Sequence, residues 1–280
     1  MNWRECRDQT EREQIIRLTC EPMEGRIQLI WGLETLRCPP ECEQLRAYAI
    51  ETKTDITGCA MAWDWPGAQR YLNGLRFGRA MPGRPRPHFW KTAFESLLDG
   101  ADYGWTSIGL KNKRARKILE SGVSWLPQYK PRQMISTWFV PLPRVQAHAP
   151  ASPALDQSLG ITPLDWRHVA IAAGSGLAYR CGRALHRMGR PGIPAPGHRI
   201  RVGDYRPPPE ASPRKIQKDL AEVKGYDGLI IVLPDDSRAA SIWRKAAPKL
   251  AWAWQSMLYT VAWQRSTALP PVPAWKGFWL

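Results

Sequence analysis

The run Tyr71-Leu-Asn-Gly-Leu-Arg-Phe77 reads as the second arm of a β-hairpin. Thr54 to Trp65 alternates loosely between apolar and polar residues ahead of it, and Asp64-Trp-Pro-Gly67 supplies the turn, so a strand is predicted over Gln69 to Phe77. The texture then changes at once. Gly78 to Pro87 is a loop of Gly, Pro and Arg, and Phe89, Ala93, Phe94, Leu97 and Leu98 recur at helical spacing until Gly100 closes the helix.

Working outward, Gln14 to Thr19 and Gln44 to Glu51 read as strands that complete an antiparallel meander. Downstream, Tyr103 to Leu110 reads as a strand. Asn112 to Ser121 reads as a helix with Ile118 and Leu119 turned inward and Gly122 just past its end, and Ile135 to Val140 as a further strand. Pro141 to Ser158 holds four prolines among small residues, as a linker would. Beyond it the order repeats more loosely: a helix over Ser212 to Val223, a buried strand over Tyr226 to Leu233, a helix over Ser237 to Leu250 and a strand over Ser256 to Trp263, with Gly189 to Pro209 a basic, Pro-rich loop. The expected organisation is a first domain over 1–142, a linker over 143–158 and a second domain over 159–280.

The 280 residues are 44% hydrophobic and 23% charged, which argues against wholesale disorder, collagen and coiled coil. No apolar run reaches the ~18 residues of a membrane-spanning helix. The first residues carry no export-type apolar stretch, so no membrane association and a cytoplasmic location are expected. Six thinly spread cysteines point to reduced thiols. Cys38 and Cys42 have a spacing that metals use, but no second Cys or His pair lies nearby to complete a zinc site, so no metal is expected. The net charge of +15 makes phosphate-bearing ligands the first expectation, and Arg76 to Lys91 and Lys111 to Lys117 are basic windows without acids.

Placed in order, the strand Tyr71 to Phe77, the loop Arg79 to Arg86 and the helix Asn112-Lys-Arg-Ala-Arg-Lys-Ile-Leu119 resemble the core of an acetyltransferase of the GNAT superfamily. Pro22-Met-Glu-Gly25, Leu126-Pro-Gln-Tyr129, Gly225-Tyr-Asp227 and the run from Ser256 to Trp263 resemble a group of two-part GNAT proteins. The resemblance implies an α+β fold, with a mixed, mostly antiparallel sheet flanked by helices, followed by a partial second GNAT-like unit.

It also implies a ligand and its contacts. Acetyl-coenzyme A would be the acyl donor, with its pyrophosphate on the loop after the fourth strand and at the head of the next helix, where unsatisfied N–H groups and the helix dipole favour anions. The residues implied to contact it are Leu75, Arg76, Phe77, Arg79, Gly83, Arg84, Arg86 and Asn112. Pro82, Pro85 and Pro87 each remove a backbone donor, so Arg84 and Arg86 are expected to supply phosphate contacts through their guanidinium groups. Asn112 fits either a cofactor contact or a helix N-cap.

Acyl transfer to an amine needs a base for the amine and an acid for the departing thiolate. Asn73-Gly74 stands where many relatives carry an acid, which leaves Glu51, with Asp64, as the carboxylates at strand ends. The resemblance makes Tyr129 the thiolate-protonating phenol. The expected function is therefore N-acyl transfer, of acetyl foremost, to a small-molecule or peptide amine. The alternative is a catalytically silent GNAT-like scaffold whose basic, Trp-rich second half binds a protein partner or nucleic acid; nucleic acid is not the favoured partner.

Overall fold

The computed structural model describes residues 2–20, 30–31, 43–52, 55–77, 85–141, 168–170, 200–203, 212–221, 228–250 and 252–263. The expected linker over 143–158 lies outside them. The chain divides into two compact units, the first made of Met1–Glu21, Leu36–Gln133 and Met257–Ala274, the second of Pro22–Thr35, Met134–Ser256 and Trp275–Leu280.

In the first unit the strand order is β1 (Asn2–Glu5), β3 (Gln44–Glu51), β4 (Ile56–Trp65), β5 (Gln69–Phe77), β6 (Tyr103–Gly109), β11 (Trp252–Ala262) and β7 (Gln128–Pro141). The pairs β1/β3, β3/β4 and β4/β5 are antiparallel, and β5/β6 is parallel. The expected antiparallel run of β3, β4 and β5 therefore forms, with β1 and not Gln14 to Thr19 as the strand beside β3. Its hairpin turns at Pro66, with Gly67 at φ 78° and Ala68 at φ 52°. Between β5 and β6 the chain crosses over through α2 (Pro87–Leu98), whose Ala93, Phe94, Leu97 and Leu98 are buried. These are the residues whose spacing predicts the helix, and they pack with Tyr48, Ala60, Ala62, Leu72, Leu126 and Val261. Gly104 on β6 permits the close approach of α2, since a Cβ there would lie 2.9 Å from Leu98 Cδ2 and 3.3 Å from Leu72 Cδ1.

Two sequence expectations are corrected here. The segment predicted as a strand over Gln14 to Thr19 lies in helix α1 (Gln9–Cys20), begun by Asp8, whose Oδ1 accepts the Glu11 N–H at 2.9 Å. The N-cap outweighed a short β-like run. Ile15 from that helix packs on Ala47, Ala49 and Cys59. Ile118, expected inward on α3 (Lys113–Leu119), is 44% exposed, while Leu119 packs against the core.

The second unit contains β2 (Ile30–Trp31), β8 (His168–Ala170), β9 (Ile200–Gly203), α4 (Pro213–Ala221), β10 (Gly228–Pro234) and α5 (Arg238–Leu250). It also contains the later residues of β7 and the earlier ones of β11. β9 and β10 are parallel, β10 and β7 antiparallel. Strand, helix, parallel strand, helix thus occurs twice in the chain, once as β5–α2–β6–α3 and once as β9–α4–β10–α5. Stacked Trp138 and Trp243, both buried, join β7 to α5 with ring centroids 5.9 Å apart. Asp235 at the head of α5 accepts hydrogen bonds from Ser136, from Gln255 Nε2 at 3.0 Å and from Arg244 at 2.7 Å. These bonds tie β7, β11 and α5 together and hold the Asp235 carboxyl below its usual range against the opposing effect of burial. Among the described residues no helix is long and apolar enough to cross a membrane, and no group of His, Cys, Asp and Glu suits a metal ion. Cys38 and Cys42 lie outside those residues.

Candidate functional site

The parallel neighbours β5 and β6 stay together briefly. They pair over Gln69/Tyr103, Arg70/Gly104 and Tyr71/Trp105, and the remaining residues of β5 to Phe77 and of β6 to Gly109 do not pair with each other. The cause is legible on the other edge of β5. Its register with β4 shifts between Cys59/Arg76 and Met61/Asn73, so β5 carries one extra residue at Gly74-Leu75. A bulge of this kind bends a strand and increases its local twist, which swings β5 away from β6. A glycine inside a strand pattern is the signal that could have revealed it.

The result is a wedge between two parallel strands, open at their C-terminal ends, where carbonyl and N–H groups lack a ladder partner on the neighbouring strand. Crevices at the C-terminal ends of parallel strands are common ligand sites. At the throat, the Tyr71 hydroxyl and Ser107 Oγ lie 3.2 Å apart across the two strands. Tyr71 is buried against Trp63 and Trp65, Trp105 Nε1 donates to Gln69 at 3.2 Å, and the Arg132 guanidinium lies 5.7 Å over the Trp105 ring. No local pattern in the sequence marks Tyr71 or Ser107 as a site residue.

Both helices that follow the parallel strands begin at the open end. Arg86 occupies the N-cap position of α2 in an extended conformation, without a side-chain cap bond, and is exposed, with Pro87 as the first helical residue. Among the described residues, the first-turn N–H groups of α2 therefore receive no side-chain cap from the N-cap position. Leu75, also exposed, sits on the bulge. Arg76 and Phe77 lie in β5 opposite Cys59 and Gly58. Arg79, Gly83 and Arg84 lie outside the described residues. Asn112 is the N-cap of α3, its Oδ1 accepting the Ala115 N–H at 3.4 Å.

The two residues expected to act as base and acid are not brought together. Glu51 ends β3 and pairs with Arg4, which also grips Glu11 at 2.7 Å. The Arg4 bond holds the Glu51 carboxyl below its usual range. From β3 to β7 the order passes through β4, β5, β6 and β11, and five strand spacings amount to ~24 Å. Asp64 is likewise engaged, with Arg46 at 2.7 Å and with buried Arg70. Tyr129 opens β7, two strands from β6, edge-on to Phe94 of α2 and Tyr259 of β11 at 6.1 and 6.2 Å. Burial pushes its phenol well above the ordinary tyrosine value, so it holds its proton throughout the physiological range. Beside it, Arg116 Nε donates to the Tyr259 hydroxyl at 3.0 Å and Tyr259 donates to Glu120, an arrangement fixing α3 to β11.

No family model and no curated protein matches this sequence. Solved structures do match the chain. It is similar to a tandem GNAT protein from the clavulanic acid biosynthesis pathway, solved without acetyl-CoA, at 10% identity and TM-score 0.49 over 95% of this chain and 100% of that one. It is similar to a protein of Pyrococcus horikoshii described as a candidate acetyltransferase, at 11% identity and TM-score 0.47 over 93% and 89%. A GNAT-family acetyltransferase of Colwellia psychrerythraea gives 11% identity and TM-score 0.41 over 94% and 100%.

Proposed function

We propose that the chain transfers an acyl group, acetyl foremost, from coenzyme A to an amine acceptor, with the wedge between β5 and β6 as the donor site. The observation that carries this reading is the parting of two parallel strands after three paired residues, beside a bulge on β5 and below the uncapped head of α2. A slender amide-bearing arm fits such a wedge, because its N–H and C=O groups can replace the missing ladder partners. The phosphates would then lie at the head of α2, on its first-turn N–H groups and on Arg86, with Arg84 as a second guanidinium from the preceding loop.

In the transfer step the amine nitrogen attacks the thioester carbonyl, the C–S bond breaks, and the thiolate takes a proton. Tyr129 serves as that proton donor, since a phenol carries its proton at neutral pH and can give it to the departing thiolate. Glu51, paired with Arg4, does not serve as the base, and the amine loses its proton to water. The ion pairs that engage both Glu51 and Asp64 favour the second reading, a silent scaffold of the same fold.

One experiment separates them. Acetyl-coenzyme A is titrated into the protein by calorimetry, and thiol release is then followed with a panel of amines. Binding with turnover is expected, and Tyr129→Phe should lower turnover about 10²- to 10⁴-fold with donor affinity little changed. Binding without release with any amine would favour the scaffold, and no binding would remove the donor site.

A further inference from the structure

Helix α3 breaks the local rules for a stable helix on one face alone. Around its axis Lys113, Arg114, Lys117 and Ile118 form one exposed arc, and Ala115, Leu119 and Arg116 the partly buried one. Lys111, just before the helix, is exposed as well. No acid stands in the first turn, where the dipole favours one, and two cations stand there instead. Lys113 and Lys117 are four residues apart and Arg114 and Lys117 three apart, both like-charge neighbours that oppose helix formation. Arg116 is engaged with Glu120 and Tyr259. The other four cations make no ion pair among the described residues. Lys117 is favoured by the dipole in the last turn, but the first-turn cations and the like-charge pairs cost stability, and such departures mark a surface kept for a ligand.

The fold says where that surface faces. α3 starts immediately after β6, with the Asn112 N–H bonded to the Gly109 carbonyl at 2.8 Å, so Lys111 and Lys113 flank the open end of the wedge on its β6 side. Arg86 flanks it on the β5 side. Coenzyme A carries two groups of negative charge, a diphosphate and a separate 3′-phosphate. With the diphosphate at the head of α2, the second group of cations is complementary to the second group of charge. We infer that Lys111, Lys113, Arg114 and Lys117 bind the 3′-phosphate of the donor, so that the protein selects coenzyme A over its dephospho form. This rests on coenzyme A being the donor, as proposed above.

The test is calorimetry of the full chain with coenzyme A and with 3′-dephospho-coenzyme A at low salt. It is repeated on a variant with Lys111→Gln, Lys113→Gln, Arg114→Gln and Lys117→Gln. The parent should prefer coenzyme A about 10- to 100-fold, as expected for one or two charge-assisted contacts, and salt should erode the preference. In the variant the two affinities should agree within about twofold, with that for the dephospho form unchanged. The variant should also melt no lower than the parent, since glutamine keeps helix propensity and relieves repulsion. Equal affinities in the parent would overturn the inference and leave the donor assignment standing, whereas no binding of either compound would overturn both. A variant that loses affinity for both forms alike, or one that melts lower, would also overturn it. So would a labelled oligonucleotide that binds the parent more tightly than coenzyme A and is released by the same four changes.

Discussion

Glu11 shows how much one side chain can gather. Its carboxylate accepts from Arg4, from the Arg7 backbone N–H at 2.7 Å and from the Arg7 side chain at 2.8 Å. Together these hold its pKa well below the carboxylate range, the Arg4 bond contributing most. Glu51 is lowered by the same Arg4. A folded-state pKa below the unfolded one adds stability that is complete above the ordinary carboxylate range and is lost as pH falls through and below it. The urea midpoint of the parent should therefore fall between about pH 5 and pH 3, and Glu11→Gln should lower it at neutral pH and flatten its acid slope. Identical slopes would remove Glu11 as a source of acid sensitivity. Asn112, a residue type that suits either a cofactor contact or an N-cap, fills the N-cap, its Oδ1 accepting the Ala115 N–H.

At the scale of elements, Arg70 ties the hairpin to the crossover helix. It is 3% exposed, pairs with Asp64 and donates to the Leu97 carbonyl at 2.8 Å, one of the acceptors that the end of α2 leaves open. Removing Asp64 would strand the buried guanidinium, and breaking such a pair costs about 3–5 kcal/mol. Asp64→Ala should lose that much, while adding Arg70→Met should recover a good part of it, so that the two changes are far from additive in urea unfolding. Additive losses would mean that the pair does not act as a unit. The bulge on β5 belongs to this scale as well. It decides that β5 and β6 part, and with them whether a donor site exists.

At the scale of the whole molecule, the first unit is not finished by the first half of the chain. Met257–Ala274 belong to it, and Leu258, Tyr259 and Val261 are fully buried. A chain ending at residue 142 would lose the strand beside β6 and the Arg116 and Glu120 partner on Tyr259. It should be insoluble or should fail to give a cooperative melt, whereas the full chain nicked within 143–158 should stay associated on a sizing column. A soluble, cooperatively melting 1–142 fragment would contradict this. The sequence by itself determined the hairpin, the crossover helix and its buried face, and the repeated order of strand and helix. Each of these follows from neighbours a few residues apart, through periodicity and turn residues. Only the tertiary structure decided that Gln14 to Thr19 turn with α1, that Ile118 faces outward and that Glu51 is held by Arg4, five strands from Tyr129. It alone decided that β11 completes the first unit. Those outcomes depend on residues far apart in the chain, whose burial and ion pairs outweigh local preference once the sheet is assembled, and no local pattern encodes which distant partner a strand or a carboxylate will meet.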